Sequence, residues 1–255
     1  MQIAGRSVED DVSAAEWIVT ALRGQEWATV SSIVPPVFDA YVRVFHPAVR
    51  HSDDVEDFLA GLPPDAPLPP DEDVTWAEVA AFNGRTAHPA MEWVSVTGSW
   101  EFRGNDDQPG MWNESPPEGH LPVSVATRLA DVLAGYTTTP ANCWFGIESS
   151  CHEGTGRTLH LPAREFWLVR GPVGLAAVNF ADEPVEQSAN LWWPDDRSWY
   201  VATDIDLMTT YVGGSVACIT GILAAYGLEA APVPAHQRIT WDADTVNPPP
   251  MDGPG

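Results

Sequence analysis

Two aspartates one residue apart, Asp204-Ile205-Asp206, are the sharpest polar feature of the chain. Read as a strand, WYVATDID (199–206) turns Asp204 and Asp206 to one face and Trp199, Val201, Thr203 and Ile205 to the other. Two carboxylates about 7 Å apart on one face can hold a divalent cation or divide acid and base roles between them. A similar Asp-X-Asp pair clamps the metal of many nucleotide-sugar transferases, but that context needs a preceding nucleotide-binding βαβ region, and none is found. The competing reading is a strand end whose acids face water or cap the next turn.

Just upstream, Trp192-Trp193-Pro194-Asp195-Asp196-Arg197 sets two indoles beside two acids and an arginine, with Trp199 close behind. Exposed, such a group would stack a ligand or anchor a protein interface. Buried, the indoles would be core and Asp-Asp-Arg a turn. Cys143, Cys151, His152 and His160 offer metal-ligand types, but C-x7-C-H fits no zinc module. Cys151 and His152 are adjacent, and adjacent side chains seldom point at one another, which argues against a nucleophile–base pair. Glu148, Glu153, Glu165 and His160 lie among strand-like segments, and their spacing selects no acid–base pair.

Composition removes whole classes of chemistry. The chain of 255 residues has no lysine; twelve arginines face 36 acids, for a formal charge of −24. Schiff-base, P-loop and lysine-base mechanisms are excluded. Nucleic-acid binding through a basic surface and attraction to an anionic membrane are disfavoured. A basic protein, a cation or a neutral molecule is the expected partner. Abundant Ala, Arg, Gly and Pro without Lys is also what a GC-rich genome produces. Serine-hydrolase, zincin, dinucleotide and P-loop fingerprints are all missing. Three cysteines and no apolar run of signal-peptide type in Met-Gln-Ile-Ala-Gly-Arg lead to the expectation of a cytoplasmic protein with reduced thiols. The uncharged run Met208 to Leu228 reads as a buried core helix rather than a membrane span.

The elements that must position these groups follow from periodicity. VSAAEWIVTALR (12–23) has helical spacing and stops at Gly24. WATVSSIVP and VFDAYVRVFHP read as strands. The residues from Gly61 to Asp73 are Pro-rich, acidic and loop-like. Thr75 to Glu78 matches a capping box, so a short helix should run to about Phe82. Gly104 to Pro117 is a loop by its turn residues. Residues 122–134 form a helix. CWFGIES, TLHLP, REFWLVRG, GLAAVNF and WYVATDID each suit a strand, and a helix follows with Ser215 as N-cap. His46-Pro47 and His88-Pro89 read as structural strand exits or turns. The predicted fold is α+β, a largely antiparallel sheet with helices packed on one face. The predicted organisation is an N-terminal α+β region over 1–115, either separate or part of the same sheet, a strand-rich region over 116–236, and a disordered tail over 237–255.

Three segments together resemble a group of uncharacterised proteins from high-GC actinobacteria: TTTP through CWF (137–145), LHLPAREFWLVRGP, and LWWPDDRSWYVATDIDLMTTYVGGS. The resemblance spans roughly 116–228 and implies a cytoplasmic α+β fold. It implies no activity and assigns no residue a role. Where the group continues Trp-Glu-Gly after CWFGI, this chain has Glu148-Ser149-Ser150.

Two functional expectations follow. One is an acidic protein-interaction domain that binds a basic partner, as neutralising proteins of the immunity type do, with Trp192, Trp193, Asp195, Asp196, Arg197 and Trp199 at the contact. The other is a small-ligand binder or enzyme whose Asp204 and Asp206 hold a divalent cation beside a Trp-lined pocket.

Overall fold

The computed structural model describes residues 1–51, 71–102, 107–152, 154–162, 164–182 and 184–251. In chain order the strands are β1 (Gln2–Ile3), β2 (Arg6–Ser7), β3 (Ala40–Phe45), β4 (Ala48–Arg50), β5 (Glu72–Val74), β6 (Cys143–Glu148), β7 (Leu159–His160), β8 (Glu165–Gly171), β9 (Leu191–Pro194), β10 (Trp199–Ala202), β11 (Thr209–Gly214) and β12 (Ala230–Pro232). The helices are α1 (Glu16–Leu22), α2 (Val30–Ile33), α3 (Trp76–Phe82), α4 (Trp93–Thr97), α5 (Val123–Ala134) and α6 (Val216–Leu223).

The chain divides into two compact units and crosses between them three times, after His46, after Pro117 and after Thr240. One unit joins Met1–His46 to Glu118–Thr240; the other joins Pro47–Pro117 to the chain from Trp241. The first segment returns to the larger unit because β3 pairs on both edges there, with β11 and with β12.

The larger unit is built on an eight-stranded sheet of order β12-β3-β11-β10-β9-β6-β8-β7, every pair antiparallel. This is the α+β architecture with an antiparallel sheet that the sequence predicts, but helices pack on both faces of the sheet rather than on one. Alternation sorts the strand residues into two cores. Val42, Phe145, Val169, Trp192, Trp199, Val201 and Val212 face the two longest helices, α5 and α6. Tyr41, Phe166, Leu168, Leu191, Trp193, Tyr200, Ala202 and Tyr211 face α1 and α2. Ser215 caps α6, its Oγ accepting from the Cys218 backbone N–H at 3.2 Å.

Four local expectations change. WATVSSIVP folds as helix α2, because the Val30 and Ser31 backbone N–H groups bond to Gln237 and Ala235 of the returning chain. GLAAVNF supplies a 3-10 helix, Val173–Ala177, packed on α5. The uncharged run 208–228 is not one helix; β11 is taken into the sheet before α6 begins. WYVATDID is a strand only as far as Ala202. Among the described residues no helix is long and apolar enough to cross a membrane.

In the smaller unit β4 pairs with β5. The capping box forms as predicted: Thr75 and Glu78 cap one another and α3 ends at Phe82. Trp76, Trp93 and Trp112 pack with centroids 5.3 Å apart in sequence order. The predicted tail is not disordered up to residue 251. Residues 237–240 belong to the larger unit, and from Trp241 the chain packs in the smaller one. The Asp244 carboxylate is buried there, taking hydrogen bonds from the Val246 and Asn247 backbone and from His88 Nε2. Burial would raise its pKa, but those donors outweigh burial and lower it. Most of the Pro-rich stretch from Gly61 to Asp73, and residues 104–106 of the second loop, lie outside the described residues.

Candidate functional site

Cross-strand register creates a cavity on the α1/α2 face of the larger unit. One row across the sheet is aromatic: Trp144 pairs with Trp193, and Trp193 stacks on Tyr200 at 6.0 Å. Two residues along, Gly146 pairs with Leu191 and Leu191 with Ala202; Leu191 packs over Gly146, where an added Cβ would lie 3.2 Å from the Leu191 Cβ. Large rings fill the space under α1 in the first row. Beside the second, at Leu191 and Ala202, lies a cavity of about 240 Å³. Leu191, Ala202 and Phe166 contribute to its floor, Leu22, Ala28 and Ile33 to the opposite side, and Trp27, 71% exposed, also borders it.

Asp204 and Asp206 line this cavity, but not as strand neighbours. They sit in the turn after β10, where the Asp206 N–H donates to Asp204 Oδ1 at 3.0 Å. Arg164, from the β7–β8 hairpin, lines it too. Its Nη2 donates to Asp204 Oδ1 at 3.2 Å and to Asp206 Oδ2. Burial favours the neutral guanidine, but the two aspartates outweigh it and raise the Arg164 pKa. The pair is therefore already engaged by a cation of the protein itself. Gly119, at φ +84°, lets the neighbouring chain press on this turn: a Cβ there would lie 2.7 Å from the Ile205 carbonyl oxygen.

Glu148, at the end of β6, also borders the cavity and is buried. Its carboxylate accepts from the Ser150 N–H at 2.8 Å and from the Ser150 hydroxyl. Its own N–H donates to Asn190 Oδ1, while Asn190 Nδ2 donates to the Thr203 carbonyl. Thr203 shares a hydrogen bond of 2.6 Å with Thr210, and Thr210 one of 2.9 Å with His46, which is fully buried at the end of β3. The strand-exit reading of His46 agrees with this position.

The tryptophan-rich segment lies elsewhere and is not an exposed stacking surface. Trp192, Trp193 and Trp199 are at most 1% exposed. The correction follows from the pleat: both faces of this central hairpin are covered, so its indoles point into one core or the other. Asp195, Asp196 and Arg197 form the β9–β10 turn. The Arg197 N–H bonds to the Pro194 carbonyl at 2.9 Å and Arg197 itself is left-handed, at φ +56°. Its guanidinium lies 5.6 Å from the Trp17 ring centroid. Asp195 accepts from Trp144 Nε1 at 2.6 Å and from Arg170. Asp196 accepts from the Thr138 N–H and hydroxyl, the Thr137 hydroxyl and the Ser198 N–H. Against the raising effect of burial, these donors push its pKa down to about 2.

Thiol and metal chemistry find no support in the described geometry. Cys143 and Cys218 are buried, and burial pushes both thiols up to about 12, so neither supplies a thiolate near neutrality. Among the described residues no three His, Cys, Asp or Glu side chains converge as a metal set. His160 pairs with Glu165 at 2.9 Å on the sheet edge, both well exposed. Glu153 and the Cys151 side chain lie outside the described residues.

Of the cavity's residues, sequence reasoning singled out Asp204 and Asp206 and named Glu148 without a partner. It missed Arg164, Asn190, Leu191 and Ala202. The legible signal was the small residue two places from a large ring, Tyr200/Ala202. Comparison with family models, curated proteins and solved structures gave no match.

Proposed function

We propose that the larger unit is a small-ligand-binding domain of a cytoplasmic protein, with its site in the cavity over Leu191 and Ala202. The observation that carries this reading is the cavity itself, apolar in its floor and polar at the Asp204–Arg164–Asp206 rim. Small-molecule sites have this character: an apolar concavity with a few placed polar groups. An apolar cavity of about 150 Å³ already holds benzene, so this one admits a molecule of at least that size. The test is a ligand-observed NMR screen of small aromatic probes. Wild type should bind a subset of them. Ala202→Tyr, or the milder rim change Ile33→Phe, should weaken that binding at least tenfold while the protein stays folded. Equal binding by the filled variants would overturn the reading.

A second reading, a basic protein partner, is favoured by the charge of −24, which accelerates the approach of a cation. The buried tryptophans cannot serve as its anchors. Purification at low salt should then yield one stoichiometric basic protein that is lost at high salt; a chain that emerges alone would sink this reading.

A further inference from the structure

Trp27 is the most exposed of the twelve tryptophans, at 71% against 46% for Trp241. Trp241 packs against Trp100, with centroids 5.1 Å apart. The Trp27 indole has no ring contact and no hydrogen bond among the described residues, and it stands at the border of the cavity. The backbone does not leave it there by looseness. The Thr29 hydroxyl donates to the Glu26 carbonyl at 2.7 Å, closing the turn that carries Trp27 and Ala28. The Ala28 carbonyl accepts from the Ile239 N–H at 3.0 Å, and the Val30 N–H donates to the Gln237 carbonyl at 2.9 Å. Ala28 is left-handed, at φ +58°, a conformation that is costly for alanine and free for glycine. Such strain persists where the surrounding structure over-determines it, and it gathers at ligand clamps.

We propose that Trp27 is the stacking residue of the cavity and that the ligand presents an aromatic ring to its indole. This rests on the ligand-binding reading above and names the ligand's chemical class. Most of the apolar lining does not select shape. Leu22, Ile33, Leu191 and Ile239 are aliphatic, and they reward any apolar group that fits, flat or not. Phe166 is the other aromatic side chain of the lining, but at 4% exposed it has little face to offer. Trp27 differs because its ring is uncovered. An aromatic pair gains more than the area it buries, and a saturated ring of the same size forgoes that gain. The turn held from Glu26 to Val30 fixes the indole's backbone in advance, which reduces the ordering cost when a ligand arrives.

Benzyl alcohol and cyclohexylmethanol separate ring stacking from plain apolar burial, since they share a skeleton and a hydroxyl and differ in aromaticity. Their dissociation constants are measured by ligand-observed NMR titration against wild type, Trp27→Ala, Trp27→Phe and Ala202→Tyr. The quantity read is the ratio of the two constants, compared between variants so that the probes' unequal hydrophobicity cancels. Trp27→Ala should shift that ratio against benzyl alcohol by about fivefold, the worth of one aromatic pair. Trp27→Phe keeps a ring and should hold the ratio within about twofold of wild type. Both changes fall on an exposed side chain without contacts, so the variants should fold as wild type does. A ratio that Trp27→Ala leaves unchanged, with or without a common loss of affinity, would overturn the stacking role and leave the pocket standing. Binding of neither probe to wild type, or binding untouched by Ala202→Tyr, would overturn the pocket reading itself.

Discussion

The row Trp144–Trp193–Tyr200 and the row Gly146–Leu191–Ala202 lie two residues apart on the same three strands and the same face. They receive the same cover from the N-terminal helical segment. The first is packed solid, with rings stacked across the strands. The second borders a cavity at Leu191 and Ala202. At each end a turn supplies two aspartates and an arginine meets it: Arg170 reaches Asp195 of the Asp195–Asp196 turn at one, and Arg164 reaches both Asp204 and Asp206 at the other. Residue types alone therefore do not mark the site. Volume at the facing positions does, since a close-packed interior leaves a void only where side chains are too small to meet.

The sharpest way to break this comparison is to hollow the filled row. Trp193→Ala should cost about 3–5 kcal/mol in denaturant unfolding, the range for truncating a buried aromatic side chain. A loss below about 1 kcal/mol would mean that the aromatic row is not the packed core inferred from its burial.

The carboxylates should differ next. Asp196 gathers four donors from two loops, so Asp196→Asn should cost about 1–2 kcal/mol near neutral pH. Its folded pKa, about 2, lies below the ordinary 3.8. The stabilisation is therefore fully present above pH 3.8 and is lost as pH falls through that value toward 2. Unfolding curves of wild type and Asp196→Asn should converge across that window. A gap that persists unchanged at pH 2 would show that its origin is not the carboxylate's charge.

The fold class was legible because it rests on alternation, which survives any register: the odd and even residues of CWFGIE and REFWLVR separate cleanly into the two cores. The capping box at Thr75 was legible because it is local. The helix at Val30 was not, because its first N–H groups are bonded by a chain more than 200 residues away, and no window of sequence contains both partners. The end of β10 at Ala202 was missed for a related reason. Thr203 and Asp204 suit a strand by type, but the Thr203 N–H goes to Asn190 and Asp204 closes its own turn. The cavity was half-legible. Its acids stood out as a motif, whereas Arg164, Leu191 and Ala202 carry meaning only once β6, β8, β9 and β10 are aligned.

The smallest expected effect tests that last point. Asp206 resembles Asp196 in type and in lying on a turn, but its side chain is 74% exposed, and Arg164 keeps Asp204 when Asp206 is neutralised. Exposed pairs of this kind contribute about 0–1 kcal/mol, so Asp206→Asn should unfold within about 0.5 kcal/mol of wild type. With one carboxylate removed, Arg164 is less fully cancelled, and an anionic aromatic probe should gain affinity relative to a neutral one of the same shape. A destabilisation as large as that of Asp196→Asn would make the rim a structural clasp like the β9–β10 turn, and the contrast between the two ends of the sheet would then rest on cavity volume alone.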